Sequence, residues 1–167
     1  GLVKVLNTGE YNISTANGLA YASQNLFAKG GSYVLTADID MSEYTALETK
    51  AGDKFWKSAE ISHKTFAFDG KGHSISNLPG MFVSYTISGD LTIKNLTLNN
   101  PNIAYDVEDT SENKGVGAFF GLSDVFNKIL LENCHVKGGE IEGGHWTGGL
   151  IGYASGYSEA STLTIKN

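Results

Sequence analysis

Arginine is absent from this chain of 167 residues, and all 12 of its cationic side chains are lysine. Arginine is the residue best shaped to hold a phosphate or a carboxylate through two parallel hydrogen bonds. The chain also has a net charge of −6 and no basic cluster, so it lacks the usual features of a protein that binds nucleic acid. We therefore expect no nucleic-acid partner. The absence of arginine also disfavours bidentate recognition of an acidic sugar.

Cysteine, proline and long apolar runs are also scarce. The single cysteine, Cys134, excludes an internal disulfide but leaves the compartment open, because secreted chains can lack disulfides. No apolar run approaches the roughly 20 residues needed to span a bilayer, so we expect no membrane insertion. Two prolines against 21 glycines favour uninterrupted strands joined by tight corners. A hydrophobic content of 41% is enough for the core of one domain.

Two short phrases recur in order along the chain. LTIKN at 91–95 returns at 163–167, and the variant ILLENC stands between them at 129–134. GVGAFFG at 115–121 returns as WTGGLIG at 146–152, and residues 80–83 form a shorter relative. Ordered recurrence predicts a solenoid, in which each unit buries its apolar face against its neighbours.

Asparagine marks the predicted corners of this solenoid. Alignment places Asn77, Asn95, Asn133 and Asn167 in one corner ladder, with steps of 18, 38 and 34 residues. This spacing predicts one coil per roughly 18 residues, with glycine-rich coils inserted between asparagine coils. Asparagine tolerates the left-handed backbone conformation, and its amide can bond to the asparagine one rung away. The glycines expected to serve other corners are Gly117, Gly121, Gly148, Gly149 and Gly152.

Alternating apolar residues are expected to point inward and to stack between coils. The predicted columns are Ile93 over Leu131 over Ile165, Leu98 over Val136, and Phe119 over Leu150. This pattern predicts an all-β fold, a parallel β-helix, over residues 66–167.

Residues 1–65 are expected to form an N-terminal cap. A strand over residues 2–6 precedes a helix that begins at Ser14 or Thr15 and ends before Gly30. We expect this helix to cover the open end of the stack. A strand follows at 33–41, with a polar bend at 38–40. Residues 42–65 are the least regular, with Phe55 and Trp56 expected against the core and the rest in loops.

These motifs together resemble the GLUG-repeat family of bacterial surface proteins. The family signature is matched by residues 149–152 and more loosely by residues 118–121, and its asparagine-cysteine corner by residues 133–134. The lead-in is similar at residues 13–16, 35–40 and 68–78. The resemblance implies a right-handed β-helix in secreted or surface-anchored proteins, adhesin-like or accessory to surface enzymes, and it implies no catalytic motif.

Acidic residues give two candidate calcium sites. Asp38 and Asp40, with Asp69, offer carboxylates, although calcium prefers six to eight oxygens and corner capping is the favoured interpretation. The second candidate is a cluster of four acids in residues 106–112. It lacks the turn glycine and the bidentate acid at fixed spacing that a calcium loop needs, so we expect this segment to be a solvent-exposed loop. Its members are Asp106, Glu108, Asp109 and Glu112.

Catalytic and transition-metal sites have weaker support. A glycosidase needs two acids across the sugar, yet Lys94, Glu132 and Lys166 align as a ladder of opposite charges. The histidine pairs, His63 with His73 and His135 with His145, lack the further ligands of a metal site. Cys134 aligns with Leu96, so we expect a small buried residue and no nucleophile.

Aromatic residues supply the candidate ligand surface. Trp146, Tyr153 and Tyr157 lie in or beside a glycine-rich coil, where exposed rings could stack on sugars or pack the corners. We expect a non-catalytic, adhesin-like module, extracellular or on the cell surface, that binds glycan or host protein or acts as a spacer. The alternatives are a carbohydrate-active enzyme, an accessory domain of one, and a calcium-stabilised adhesin. As a fragment, the chain should have either further repeats or end-to-end self-association.

Overall fold

The computed structural model describes residues 1–45, 56–104 and 115–167, and these residues are mostly β-structure. Helix α1 spans Ala16–Asn25, and 3₁₀ turns lie at Phe27–Lys29 and Met41–Glu43. The all-β class is confirmed at this level. The strands are β1 Leu2–Lys4, β2 Tyr11–Ile13, β3 Gly31–Leu35, β4 Ile39–Asp40, β5 Ala59–Asp69, β6 Ser74–Ser76, β7 Val83–Asn99, β8 Asn102–Ala104, β9 Gly115–Val116, β10 Phe120–Phe126, β11 Lys128–Lys137, β12 Glu140–Glu142, β13 Trp146–Thr147, β14 Ile151–Gly156 and β15 Thr162–Lys166.

Helix α1 lies where the sequence predicts it. Thr15 is its N-cap, because its Oγ1 accepts a hydrogen bond from Gly18 N at 3.1 Å, which satisfies one of the free donors of the first turn. The following 3₁₀ turn ends at Gly30, whose φ of 74° suits glycine. The inward side chains Leu19 and Phe27 are fully buried in the core cluster shared with the strands.

The strands pair in parallel, with one antiparallel pair, β1 with β2, among the described residues. Parallel pairing joins β2, β3, β5, β7, β10 and β14 in order, and β11 joins β7 to β15. Two smaller parallel pairs are β8 with β12 and β9 with β13. We call one set of strands that pairs with an equivalent earlier set a rung. The register therefore places successive rungs side by side along the chain.

One apolar column runs through the whole series of rungs. Ile93 pairs with Leu131, and Leu131 pairs with Ile165, as predicted. The same register extends backwards through Phe68, Tyr33 and Tyr11. Leu98 pairs with Val136 as predicted, and the β10–β14 register continues to Phe119 beside Leu150. Close-packed columns of this kind bury apolar area in every rung.

The predicted coil of roughly 18 residues is wrong. Phe120 pairs with Val83, 37 residues earlier, and with Ile151, 31 residues later. Glycine-rich and asparagine segments thus belong to one rung and do not form alternating coils. Asn77 and Asn95 lie at different corners of neighbouring rungs, so the 18 residues between them are not the length of one rung. Ser76 pairs with Asn99, and Asn77 is therefore equivalent to the residue after Asn99. The earlier relative at residues 80–83 is correctly placed.

Left-handed backbone marks three equivalent positions in the rungs. The first corner holds His63, Ser88 and Val125, with φ of 54°, 52° and 42°. The second holds Asn95 and Asn133, with φ of 53° and 51°. The third holds Asn77, Asn100 and Gly138, with φ of 57°, 48° and 65°. Left-handed backbone suits asparagine and glycine, but a β-branched valine is strained there.

The five glycines predicted at corners have a different role. None of Gly117, Gly121, Gly148, Gly149 or Gly152 has a positive φ. A Cβ on Gly117 would lie 2.5 Å from Phe120 O and 2.7 Å from Gly152 N, both of them backbone atoms. Glycine is therefore required here for close approach of neighbouring chain segments. Gly149 has open space at the Cβ position and carries no such requirement.

The segment 42–65 is more regular than expected. Strand β5 begins at Ala59, so the prediction of loop is wrong for residues 59–65. Trp56 is buried and donates from Nε1 to Met81 O at 2.9 Å, as its predicted place in the core requires. Phe55 lies outside the described residues. Because β5 crosses the boundary between residues 65 and 66, the division into cap and repeats stays a prediction.

Two hydroxyl groups lie inside the apolar core. Thr86 and Ser123 pair in register between β7 and β10, and both are fully buried. Among the described residues, their oxygens have no hydrogen-bond partner. An unsatisfied buried hydroxyl costs stability, so this pair is a weak point of the core.

Candidate functional site

The second corner carries a hydrogen-bonded ladder of side chains. Asn133 donates from Nδ2 to Asn95 Oδ1 at 3.2 Å, and Asn95 donates from Nδ2 to Asp69 Oδ1 at 3.1 Å. Asp69 also accepts from the backbone N of Lys71 at 2.8 Å. The predicted amide contact between rungs is therefore present, and an unpredicted carboxylate is its final acceptor. Each bond replaces water at a turn whose left-handed backbone already favours asparagine.

Asn77 and Asn167 differ in how they relate to this ladder. Asn77 belongs to the third corner, where its Nδ2 donates to Asp40 Oδ1 at 2.8 Å. The prediction that Asn77 stacks with Asn95 is therefore wrong. The error arises because left-handed backbone at both corners favours asparagine. Asn167 follows Lys166, the partner of Glu132, so the register continues to Asn133.

Charged side chains form a column beside the asparagine ladder. The register places Asp69, Lys94, Glu132 and Lys166 in sequence, with alternating sign. Lys94 Nζ lies 3.7 Å from Asp69 Oδ2, and Lys166 Nζ lies 3.2 Å from Glu132 Oε1. This arrangement matches the predicted charge-paired ladder, and it extends it by Asp69. Because all four side chains are partly exposed, these ion pairs add little to the stability of the fold. Opposite charges on neighbouring strands do favour this register over one that places like charges side by side.

The three candidate calcium ligands each bind nearby donors. Asp38 Oδ1 accepts from Ser74 N at 2.9 Å and lies 3.2 Å from His73 Nδ1. Asp40 Oδ1 accepts from Ser42 N at 2.9 Å, besides its bond from Asn77. These contacts are those of corner caps. Within residues 1–45, 56–104 and 115–167, no three His, Cys, Asp or Glu side chains gather as a metal site.

The hydrogen bonds to these carboxylates lower their pKa values. The bond from Ser74 N, with His73, lowers the pKa of Asp38, and the bonds from Asn77 and Ser42 lower that of Asp40. Burial alone would raise the pKa of Asp69, but bonds from Lys71 N and Asn95, with two lysine charges, hold it below its usual range. All three carboxylates are therefore ionised at neutral pH.

The aromatic candidates are partly brought together. The rings of Trp146 and Tyr153 pack with centroids 4.7 Å apart and planes tilted by 34°, and both side chains are half-buried. Tyr157 is 72% exposed and follows the end of β14. The Trp146–Tyr153 pair thus combines the two predicted roles, because each ring packs on the other while part of its surface faces solvent. Tyr157 makes no ring contact with this pair among those that the structure shows, so we call Trp146 and Tyr153 the aromatic patch.

Cys134 is less buried than expected. It pairs with Leu96 as predicted, but its side chain is half-buried. Its Sγ donates to Ile93 O at 3.3 Å, and burial raises the pKa of the thiol to about 11. The thiolate that a nucleophile requires is therefore disfavoured. His135 Nε2 lies 3.0 Å from Asn133 Oδ1, a contact within the same corner.

A cavity of about 590 Å³ is a feature that the sequence did not predict. It lies between the residues that precede β5, the turn before β7 and strand β8. Its lining is partly apolar and includes the side chain of Trp56. The residues that line it include Trp56, Ser58, Pro79, Met81 and Ile103.

The acidic cluster at 106–112 lies outside the described residues. In the part of the chain that the structure covers, no helix has the length and apolar character to cross a membrane. No family model matches the sequence, and no curated protein or solved structure shows significant similarity to it.

Proposed function

We propose that this chain is a non-catalytic, adhesin-like module of a bacterial cell-surface or secreted protein. In this proposal it folds as a right-handed parallel β-helix with α1 as its N-terminal cap. Its surface binds a glycan or a host protein, or it holds other domains at a distance. The observation that carries the proposal is the shared register of successive rungs, with Leu131 between Ile93 and Ile165.

The corner geometry supports the coiled path. Three left-handed positions recur in the same register, so the chain turns at equivalent points of each rung. Parallel neighbours require a long connection between them, which a coil supplies. The fully buried side chain of Leu19 on α1 supports the capping role of this helix. The GLUG resemblance supplies the handedness and the bacterial surface context.

The non-catalytic part of the proposal is supported by the state of the acids. Asp38, Asp40 and Asp69 are held by donors that stabilise their ionised form. A glycosidase needs one carboxyl group with a raised pKa as a general acid. The outward acid Glu132 is paired with Lys166. These described carboxylates therefore act as structural groups in the proposal.

The aromatic patch is the surface that we assign to ligand contact. Half-exposed rings at Trp146 and Tyr153 suit the apolar C–H faces of a sugar. Screening of the chain on glycan and matrix-protein arrays tests this assignment. We expect binding that Trp146→Ala weakens and that Tyr21→Ala leaves unchanged, because Tyr21 is an exposed aromatic residue on α1. No ligand on either array would remove the binding role and leave the spacer role.

A carbohydrate-active enzyme, or an accessory domain of one, is the second candidate. The cavity favours it, because 590 Å³ lies within the range of roughly 300–1,000 Å³ for small-molecule sites. Release of reducing sugar from a polysaccharide panel, abolished by a substitution such as Met81→Lys in the cavity wall, would support it.

A calcium-stabilised adhesin predicts a lower melting temperature in chelator, and an unchanged value would dismiss it.

A further inference from the structure

One face of the rungs carries an outward column of mainly apolar side chains. Strands β5, β7, β10 and β14 pair in register at Glu60, Tyr85, Leu122 and Tyr153 in turn. The residue after Tyr85, Thr86, is fully buried and points into the core, so the column itself points outward. Its first member is exposed, and the other three are half-buried. Two tyrosines and a leucine therefore form a strip on the outer surface that runs from rung to rung.

The exposure of this strip does not arise at an end of the series of rungs. Strand β7 lies between β5 and β10, and β10 lies between β7 and β14. The backbone is thus paired on both sides of Tyr85 and of Leu122, and the part of each side chain that stays exposed faces away from the core. The outward column beside the asparagine ladder is charged instead, at Asp69, Lys94 and Glu132. Outward apolar residues are therefore not a general requirement of the rungs, and contiguous apolar surface is a mark of a binding site.

The rings in the strip are spaced for a chain of sugars. Tyr85 and Tyr153 lie two strand spacings apart, about 10 Å, with Leu122 between them. An extended β-1,4-linked chain of pyranose units repeats every two units over nearly the same length, and each unit has an apolar C–H face. One such repeat places a sugar face on each tyrosine. The ring of Trp146 packs on Tyr153 and widens the contact at that rung.

The charges beside the strip select an uncharged chain. Glu60 is the exposed member of the column, and Asp124 lies in the next outward column, two residues from Leu122 on β10. Carboxylates accept hydrogen bonds from sugar hydroxyl groups, but they repel the carboxylates of an acidic polysaccharide. Among the residues that the structure describes, no lysine occupies either column.

We propose that the strip formed by Tyr85, Leu122 and Tyr153 binds an uncharged β-1,4-linked polysaccharide that lies along the series of rungs. The bound chain crosses the strands, so that successive sugar units contact successive rungs. Glu60 and Asp124 accept hydrogen bonds from hydroxyl groups at its edge. This inference rests on the proposed function, because it extends the aromatic patch across two further rungs and names the class of its ligand.

Affinity electrophoresis in gels that contain one polysaccharide tests the ligand class. The probes are hydroxyethylcellulose, xylan and galactomannan, with carboxymethylcellulose as the acidic counterpart of the first. We expect at least one uncharged polymer to retard the protein, and carboxymethylcellulose to retard it less. Glu60→Gln should narrow the difference between the two cellulose derivatives, because it removes a repelling charge at an exposed position. Retardation by none of the three uncharged polymers, or equal retardation by the acidic one, would overturn the proposal.

Substitutions along the strip locate the bound chain. With the polymer that retards the protein most, Tyr85→Ala should weaken binding about tenfold, because it removes one stacked ring, whereas Tyr85→Phe should retain binding. Tyr21→Ala is the matched control, since Tyr21 is 55% exposed on α1. Circular dichroism of each variant confirms that it folds. Oligosaccharides cut from the same polymer should bind more tightly up to the three units that contact Tyr85, Leu122 and Tyr153, and affinity should then level off.

The variants also separate this inference from the proposed function. Binding that Trp146→Ala weakens and that Tyr85→Ala leaves unchanged would overturn the strip and leave the aromatic patch as a ligand surface. Binding of a matrix protein by a chain that none of the uncharged polymers retards would do the same. Affinity that is already complete with a single sugar unit would contradict a ligand that spans several rungs.

Discussion

Replacement of Leu131 with alanine perturbs the central apolar column at a fully buried position. Leu131 is fully buried and has register partners on both sides, Ile93 and Ile165. Removal of a buried leucine side chain loses its transfer free energy and leaves a cavity, and in well-packed cores the sum is about 3–5 kcal/mol. Strand β11 is held by hydrogen bonds to β7 on one side and to β15 on the other, so the cavity can close little. We expect a loss in the upper half of that range.

Leu6→Ala is the matched control for this change. The chemistry is the same, but Leu6 is 91% exposed, so the substitution should alter the free energy of unfolding by less than about 0.5 kcal/mol. Equilibrium unfolding in urea, followed by circular dichroism at one low protein concentration, measures both. Similar midpoints for the two variants would refute the reasoning, because they would mean that Leu131 is not enclosed between neighbouring rungs.

Four further substitutions follow from the local geometry. Val125→Asn should stabilise the fold by about 1 kcal/mol, because asparagine accepts a φ of 42° better than valine, and a lower urea midpoint would contradict this. Gly117→Ala should cost about 1–3 kcal/mol through overpacking while Gly149→Ala is neutral, and equal effects would count against the close approach. Ser123→Ala should raise stability by about 1 kcal/mol, and a loss would show that its hydroxyl has a partner. The pKa of Asp69 is lower in the folded state, so its contribution to stability is complete above the unfolded pKa of about 3.9 and is lost as the pH falls below that value. Asp69→Asn should therefore reduce the loss of stability at acid pH in a pH series of unfolding free energies. An unchanged loss would argue against the ladder.

The sequence predicted the apolar columns well because recurrence reports on stacking directly. The phrases around Ile93, Leu131 and Ile165 are nearly identical, and each residue occupies the same inward position. The helix was placed closely for a different reason, since Thr15 and Gly30 are local signals that need no partner. Helix-capping residues and near-identical repeats are thus the two sequence features that predicted local structure and stacking correctly without knowledge of the fold.

The rung length was mispredicted because one amino acid marks two kinds of corner. Asn77 and Asn95 both adopt left-handed backbone, and the sequence holds no sign that they belong to different corners. Asp69 as the end of the asparagine ladder was missed for a related reason. Its contact with Asn95 depends on the register between β5 and β7, which joins segments without a shared motif.

The cavity and the glycine contacts were not readable from the sequence at all. Both depend on segments that are far apart in the chain, such as Trp56 with Met81 and Gly117 with Gly152. The glycines were recognised as necessary, but conformational freedom and close approach select the same residue. The structure separates the two at these five positions, because none of them has a positive φ and left-handed backbone therefore does not explain the glycine.

Methyl NOE spectroscopy is the most direct test of the stacked register. With Ile93, Leu131 and Ile165 selectively labelled, the account predicts cross-peaks from Leu131 to both isoleucines. It predicts no direct peak between Ile93 and Ile165, since two strand spacings of about 4.8 Å separate them. Absence of either Leu131 cross-peak in the folded protein would contradict the shared register of the rungs and the function proposed from it.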